Sequence, residues 1–323
     1  MNLIDAIGSF GFSILRLSTP IIFAALACTV TKKAGLLNMS VEGMMLTAAL
    51  AGVLVSAVTQ SVILGILGAV AAGCAVGLIV STANLVGKSE LYLTCIAMNL
   101  IATGGTTFAL YMITGTKGTT FSYLPSLAVP NIDIPLIKDI PLLGRIVSGH
   151  SVLTYLAFLT ALLTWVLIFK TRLGLRLRSV GENANAAQSV GVSVTRIQTY
   201  AYIIAGAIGG LGGAFMSMSY VSWFSREMVA GRGFIGLSAN NIANGNPFIA
   251  LLFSIIFGSA DATSNVLQLT DAGMAYFIKM LPYVITIVSM VIMSLLEINR
   301  RKKMKQQVVA KAIAELHLEG KDH

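Results

Sequence analysis

Charged side chains within apolar stretches of this sequence are the first candidates for chemistry. Glu42 stands near the start of one stretch, while Asp261 and Lys279 lie inside the last two. An ionisable group at membrane depth is costly and indicates a structural pair or a proton or ion pathway. Asp261 and Lys279 fall at similar depths, so we expect a structural pair, with a relay as the alternative. We expect Glu42 to brace the turn at residues 35–38 from the start of its helix, where an anion is favoured.

No constellation for catalysis is recognisable. The triplet Gly87-Lys88-Ser89 resembles the end of a phosphate-binding loop, but position 82, where that motif needs glycine, is Thr82. The three histidines have neither metal-ligand spacing nor a neighbouring nucleophile, and the three cysteines lie in apolar stretches without paired spacing: His150, His317, His323, Cys28, Cys74 and Cys95. We therefore expect neither an enzyme nor a metal or cofactor site, and we expect the cysteines to be small core residues.

The composition excludes an ordinary soluble domain. Hydrophobic residues make up 56% of the 323 residues and charged residues only 11%, against about 25% charged in typical soluble domains. The net charge of +9 does not indicate nucleic-acid binding, because Lys and Arg cluster in one loop at 170–196 and in a tail at 300–323. Such clusters between and after apolar segments are typical of the cytoplasmic side of a membrane protein.

Eight apolar segments are long enough, or nearly so, to span a membrane. They are residues 10–30, 40–58, 61–86, 91–114, 151–169, 198–221, 247–267 and 276–296. Because a helix satisfies its own backbone in lipid, the predicted fold is all-α and polytopic, with a transmembrane domain at 1–299 and a basic cytoplasmic tail at 300–323. Small residues at helical spacing predict close helix packing, and they are Ala69, Gly73, Gly77, Gly206, Gly209, Gly210 and Gly213.

Both basic clusters belong on the cytoplasmic side, so an even number of crossings must separate them. Only three of the apolar segments lie between them, and a fourth crossing is therefore needed. The segment 228–244 is the candidate, and its polarity indicates a short or broken helix that lines an internal path. It brings the total to about nine transmembrane helices. A re-entrant segment at 198–221 is the alternative that restores the same parity. The residues proposed for the translocation path are Asn99, Ser238, Asn240, Asn241 and Asn244.

The basic loop contains a short predicted helix. Asn183 can cap a helix at 184–190, and Gly191 can end it. About two helical turns of small residues would then protrude into the cytoplasm, with a size and shape that suit a groove on another protein. We expect Ala184, Ala186 and Ala187 to be small because a partner surface approaches them.

This loop resembles the coupling segment of the membrane permeases of bacterial ABC importers for branched-chain amino acids, ribose and nucleosides. The resemblance is carried by the run at 174–183, followed by Ala186-Ala187 and Gly191. It extends to Gly35-Leu36-Leu37-Asn38 with Val41-Glu42-Gly43, to Gly231-Arg232-Gly233-Phe234-Ile235 with Gly245-Asn246-Pro247, and to Phe257-Gly258 with Ala260-Asp261-Ala262. The match covers nearly the whole chain.

The resemblance implies a permease subunit in the bacterial plasma membrane that carries a nucleoside or a simple sugar. It implies a second permease, two cytoplasmic ATPase subunits and an external substrate-binding lipoprotein as partners, with ATP hydrolysis confined to the ATPases. The implied coupling residues are Gly181, Glu182, Asn183, Ala184, Ala186, Ala187 and Gly191. A gradient-driven secondary transporter that uses Glu42 or Asp261 is the alternative. The exact substrate stays open at this point.

Overall fold

The fold is known from a computed structural model that describes residues 3–124, 126–133 and 143–270, with a few positions between 280 and 292. The long helices are α1 (Leu3–Lys33), α2 (Val41–Thr59), α3 (Val62–Ser81), α4 (Leu91–Thr114), α6 (Val152–Lys170), α9 (Val194–Ala214) and α11 (Pro247–Thr270). The shorter ones are α5 (Leu143–Val147), α7 (Arg172–Glu182), α8 (Ala184–Ser189) and α10 (Arg232–Ala243). Two π-helical turns extend α3 and α9 at Thr82–Val86 and Phe215–Tyr220, and strands β1 (Asn131–Ile132) and β2 (His150–Ser151) pair antiparallel.

Seven helices in the described part of the chain have the length and apolar composition to cross a membrane. They coincide with the first seven predicted segments, and α4 begins and ends at the predicted residues. The eighth predicted segment and the basic tail fall on or among residues outside the described ranges. The all-α membrane fold is confirmed, whereas the total of nine spans stays a prediction.

Helices α1 and α9 form the centre of the protein. Their apolar windows are 83% and 78% buried, whereas those of α3 and α4 are only 28% buried. Helix α9 with its π-helical turn runs beside α1 over most of the length of α1, because Gln198 donates to the Ala34 carbonyl at one end and Arg16 donates to the Tyr220 carbonyl at the other. The alternative of a re-entrant segment at 198–221 is therefore wrong.

The predicted small-residue faces meet where α3 packs on α9. A Cβ added to Gly73 would lie closer than 3.0 Å to the carbonyl oxygen of Gly206, and one added to Gly210 would lie 2.8 Å from the Cα of Val70. Only glycine lets the two backbones approach this closely. The predicted packing role is confirmed, as is the core placement of the cysteines, since Cys28 and Cys95 are buried and Cys74 is half-buried.

Candidate functional site

Helix α10, within the predicted broken segment, lies along the inner half of α1. Gly236 packs on α1 so closely that a Cβ there would lie 2.8 Å from the backbone nitrogen of Ala25. Further along, Asn240 accepts a hydrogen bond from Thr29, and Lys33 donates to the carbonyl of Asn244 at the end of the helix. With 12 residues, α10 is about 18 Å long and spans only part of a ~30 Å hydrocarbon layer. The sequence correctly predicted a short helix at membrane depth.

The carboxylate of Glu42 binds the beginning of α10. Its Oε1 accepts from the backbone N–H of Gly231 and its Oε2 from that of Gly233, each at 2.8 Å. The first N–H groups of a helix have no partner within the helix, and an acidic side chain is a favourable acceptor there. Glu42 therefore caps a helix that is remote in sequence, and the expectation that it braces the turn at 35–38 is wrong.

Two asparagines hold the residues that lead from that turn into α2. Asn38 accepts from the backbone and hydroxyl of Ser40 at 3.0 and 2.7 Å. Asn99, on α4, accepts from the N–H of Gly43 and donates to the carbonyl of Met39, both at 2.9 Å. Asn99, proposed above for the translocation path, thus ties α4 to the start of α2 through both ends of its amide. Residues 36–40 return alongside the last turns of α1, where Cys28 contacts the carbonyl of Asn38.

Asp261 has a charged neighbour that the sequence did not suggest. The guanidinium of Arg232, in the first turn of α10, lies 3.6 Å from the Asp261 carboxylate, and both side chains are less than one-fifth exposed. The sequence puts Arg232 and Asp261 in different predicted segments, and neither local pattern indicates that they meet. Lys279 lies outside the described residues, so its pairing with Asp261 stays a prediction.

The proposed path residues on α10 do not share one open face. Asn240 is only 1% exposed and bonded to Thr29, Asn241 is half-buried, and Asn244 is exposed at the helix end. Ser238 donates to the carbonyl of Phe234 in its own helix. The described structure therefore brings none of them to Asn99, and their role in a translocation path stays a prediction.

The basic loop folds into two helices. Thr171 caps α7 by accepting from the N–H of Gly174, which the sequence analysis missed although Thr is a common N-cap. Asn183 caps α8 by accepting from the N–H of Ala186 at 3.0 Å, and Gly191 follows it with a φ of 85°. The predicted short helix with an asparagine cap and a glycine end is thus confirmed, one residue shorter than expected.

One residue of α8, Ala187, is buried where the prediction had it facing a partner. Ala187 is only 4% exposed and belongs to the protein's own core, because α8 packs against α7 and α9. It is small because of this internal packing, and the expectation that it faces a partner is wrong. Ala186 and Gln188 are exposed, as is Val190 at 78%, and they form the outward face.

Helix α7 touches the end of α1 through two glycines. A Cβ on Gly181 would lie 3.0 Å from the nitrogen of Gly35 and closer still to the carbonyl oxygen of Lys33. Gly35 has a φ of 77°, which favours glycine at this turn. The basic loop therefore contacts the same turn from which the chain returns toward Glu42.

A polar cavity of about 260 Å³ lies at the other end of α1, lined by residues that include Arg16, His150 and Ser219. His150 stacks on Phe12 with ring centroids 4.0 Å apart, and its Nε2 lies 2.8 Å from the Ile146 carbonyl. Burial lowers the pKa of His150 below its usual value and outweighs the hydrogen bond to Ile146, which raises it, while the nearby charge of Arg16 acts in the same direction as burial. The imidazole is therefore neutral at neutral pH.

Comparison with known proteins assigns this chain to a family. The family model described as "Branched-chain amino acid transport system / permease component" matches residues 11–294. The nucleoside ABC transporter permease protein NupC of Lactococcus lactis is 29% identical, over 89% of this chain and 93% of NupC. The guanosine ABC transporter permease protein NupQ of Bacillus subtilis is 30% identical, over 90% of this chain and 93% of NupQ.

A third relative has a sugar in its name. The putative glucose ABC transporter permease protein TsgC13 of Haloferax volcanii is 30% identical, over 77% of this chain and 74% of TsgC13. No solved structure matches the chain. Because the family model covers most of the chain and the seven helices place it in a membrane, the chain belongs to the family of permease components typified by branched-chain amino acid transport systems.

Proposed function

We propose that this permease subunit of an ABC importer carries a nucleoside across the bacterial plasma membrane and that the outward face of α8 docks on an ATPase subunit. Like its relatives, the protein is a permease and not an enzyme. The observation that carries the docking proposal is the short capped helix α8, which presents exposed Ala186 and Gln188 beyond the membrane-spanning helices.

The assembly we propose contains a second permease, cytoplasmic ATPases and an external substrate-binding lipoprotein. Two peripheral helices support the proposal of a second permease, because α3 and α4 leave most of their apolar surface uncovered within this chain. On α4, a Cβ added to Gly104 or Gly105 would meet no atom within 4 Å. Such an open small-residue face suits either lipid or a helix of the second permease.

A nucleoside is the substrate class that the relatives favour, since NupC and NupQ align along about nine-tenths of this chain. A simple sugar is the second candidate because TsgC13, whose name specifies glucose, is equally similar in identity over a shorter region. The secondary transporter is not favoured. Glu42 uses both carboxylate oxygens to cap α10, and Asp261 faces Arg232, so their contacts account for them as structural groups.

The experiment replaces Ala186 by Trp in the full complex. Ala186→Trp adds bulk to the exposed face of α8, so we expect a folded permease that binds the ATPase poorly and transports little guanosine. Glu90→Trp is the matched control, because Glu90 is exposed and makes no side-chain capping bond. ATPase copurification and ATP-dependent uptake of guanosine and glucose are measured on one preparation. Normal copurification and uptake with Ala186→Trp would refute docking through α8, and uptake of glucose alone would replace the nucleoside by the sugar.

A further inference from the structure

We propose that Glu42 is a positioning residue for transport, which pins the start of α10 to α2 so that α10 follows movements of the cytoplasmic loop. This inference rests on the proposed function, because it assigns to a residue within the membrane a part in ATP-driven transport. Its basis is the set of contacts that surround α10 at both ends.

The first set of contacts accounts for every N–H at the beginning of α10. The N–H of Arg232 donates to the carbonyl of Val229, and that of Phe234 to the carbonyl of Gly231. The N–H groups of Gly231 and Gly233 have Glu42 as their acceptor. Because this helix begins at membrane depth, where an unpaired backbone group is costly, Glu42 completes the hydrogen bonding of the first turn.

The close approach at Gly233 shows that the contact is built for this carboxylate. A Cβ on Gly233 would lie 2.6 Å from Oε2 of Glu42 and 2.7 Å from its backbone nitrogen. Any larger residue at this position would push the two helices apart. The sequence of α10 thus leaves room for Glu42 where it begins.

The chain that leads into α10 has a backbone that requires support. Glu227 and Ala230 have φ values of 54° and 51°, in the left-handed region that non-glycine residues seldom adopt, and Gly231 follows at 79°. Such conformations persist where surrounding contacts hold them. Glu42 holds the residue at the end of this segment, Gly231, through its backbone N–H. Without that bond, residues 227–231 lose the contact that fixes where α10 begins.

The second set of contacts connects α10 to the cytoplasmic loop. Lys32 and Lys33, at the end of α1, donate to the carbonyls of Asn241 and Asn244 at the end of α10. Gly181 of α7 packs on Lys33 and Gly35. The same turn continues through residues 36–40 to Glu42, so one stretch of chain contacts α7 and both ends of α10. A displacement of α7 therefore has a route to both ends of α10 through this stretch, and Glu42 supplies the hydrogen bonds that join the stretch to the first turn.

The test compares Glu42→Gln with Glu90→Gln in the complete transporter, reconstituted in liposomes with its ATPases, second permease and binding protein. Gln keeps the shape of Glu but replaces one acceptor oxygen by an NH₂ group, so one N–H of α10 loses its acceptor. Glu90 also stands at the start of a helix, but its exposed side chain makes no capping bond. Guanosine uptake, ATP hydrolysis and hydrogen exchange of residues 229–238 are measured for each protein.

We expect Glu42→Gln to lower the guanosine transported per ATP about tenfold, the scale of losing one charge-assisted hydrogen bond at a positioning group. ATP hydrolysis should stay near the wild-type rate, and exchange should rise in residues 229–238 but not in α3 or α9. Glu90→Gln should resemble the wild type. A Glu42→Asp variant, which retains both oxygens on a shorter side chain, should recover part of the ratio.

Two results would overturn the proposal. One is an unchanged ratio of guanosine to ATP with unchanged exchange in Glu42→Gln. The other is an equal loss of uptake and hydrolysis with faster exchange throughout the protein, which would show that Glu42 only stabilises the fold. If the wild-type complex takes up no guanosine with ATP, the proposed nucleoside function fails, and the exchange of residues 229–238 alone decides whether Glu42 pins α10.

Discussion

A single methyl group at Gly181 tests whether the contact between α7 and α1 matters for transport. In Gly181→Ala the new Cβ would lie 3.0 Å from the nitrogen of Gly35 and closer still to the carbonyl oxygen of Lys33. Both neighbours are backbone atoms in a turn that is held by its own hydrogen bonds, so they have little freedom to move. Helix α7 must therefore shift away from the end of α1.

The size of the effect follows from this geometry. Ordinary contact with a Cβ begins at 3.4 Å, and the Lys33 oxygen lies well inside 3.0 Å, so the displacement is clearly larger than 0.4 Å. Overpacking a close contact costs about 1–3 kcal/mol, and we expect the lower end because α7 lies at the surface. A loss of about 1 kcal/mol lowers the melting temperature by about 2–4 °C in a domain of comparable size.

The assay measures thermal unfolding of the purified permease together with uptake by the complete transporter. We expect Gly181→Ala to lower the melting temperature slightly, to leave ATPase binding intact because the outward face of α8 is unchanged, and to lower guanosine uptake strongly. Gly118→Ala is the matched control, since a Cβ there meets nothing within 4 Å and the backbone needs no positive φ. Wild-type uptake in Gly181→Ala would refute transmission through this contact.

Two further predictions concern ionisable groups. Asp261→Asn leaves Arg232 without its acidic neighbour and should cost about 3–5 kcal/mol of stability, most of which the double variant with Arg232→Met should recover. Unfolding experiments measure the stability of each variant. If the double variant with Lys279→Met recovers the loss instead, Lys279 is the partner of Asp261. For His150, whose folded pKa lies below the ordinary 6.5, stability should be full above pH 6.5 and fall as the pH drops below it. Between pH 7 and pH 5 the melting temperature should therefore fall more for the wild type than for His150→Gln. An equal fall in the two proteins would contradict the buried neutral imidazole.

Local signals in the sequence predicted the elements that they control directly. The limits of α4 at Leu91 and Thr114 follow from a largely apolar segment without charged residues between Glu90 and Gly115. Helix α8 was predictable because its cap and its end depend on single residues, Asn183 and Gly191, within one short segment. The small-residue faces of α3 and α9 were predictable as packing surfaces because glycine spacing along one helix does not depend on its partner.

Contacts between distant segments could not be predicted in this way. Glu42 and Gly231 lie 189 positions apart, and nothing in either local pattern says that one caps the other. Ala187 has the same side chain as Ala186, and only the packing of α8 on α7 and α9 decides that one is buried and the other exposed. The ion pair of Arg232 with Asp261 is a further case, because the two residues belong to different predicted segments and meet only in the folded protein.

The short length of α10 determines which part Glu42 can have in transport. A full-length helix would begin in water, where its first N–H groups need no protein acceptor, but α10 begins beside Glu42 within the layer. A carboxylate whose two oxygens both accept backbone hydrogen bonds loses the negative charge that strengthens both bonds when it takes a proton. Glu42 therefore suits a structural pin better than a proton carrier, and the energy for transport must enter elsewhere. We propose that the exposed face of α8 supplies that entry, because Gly181 packs the same loop against the turn from which Glu42 is reached.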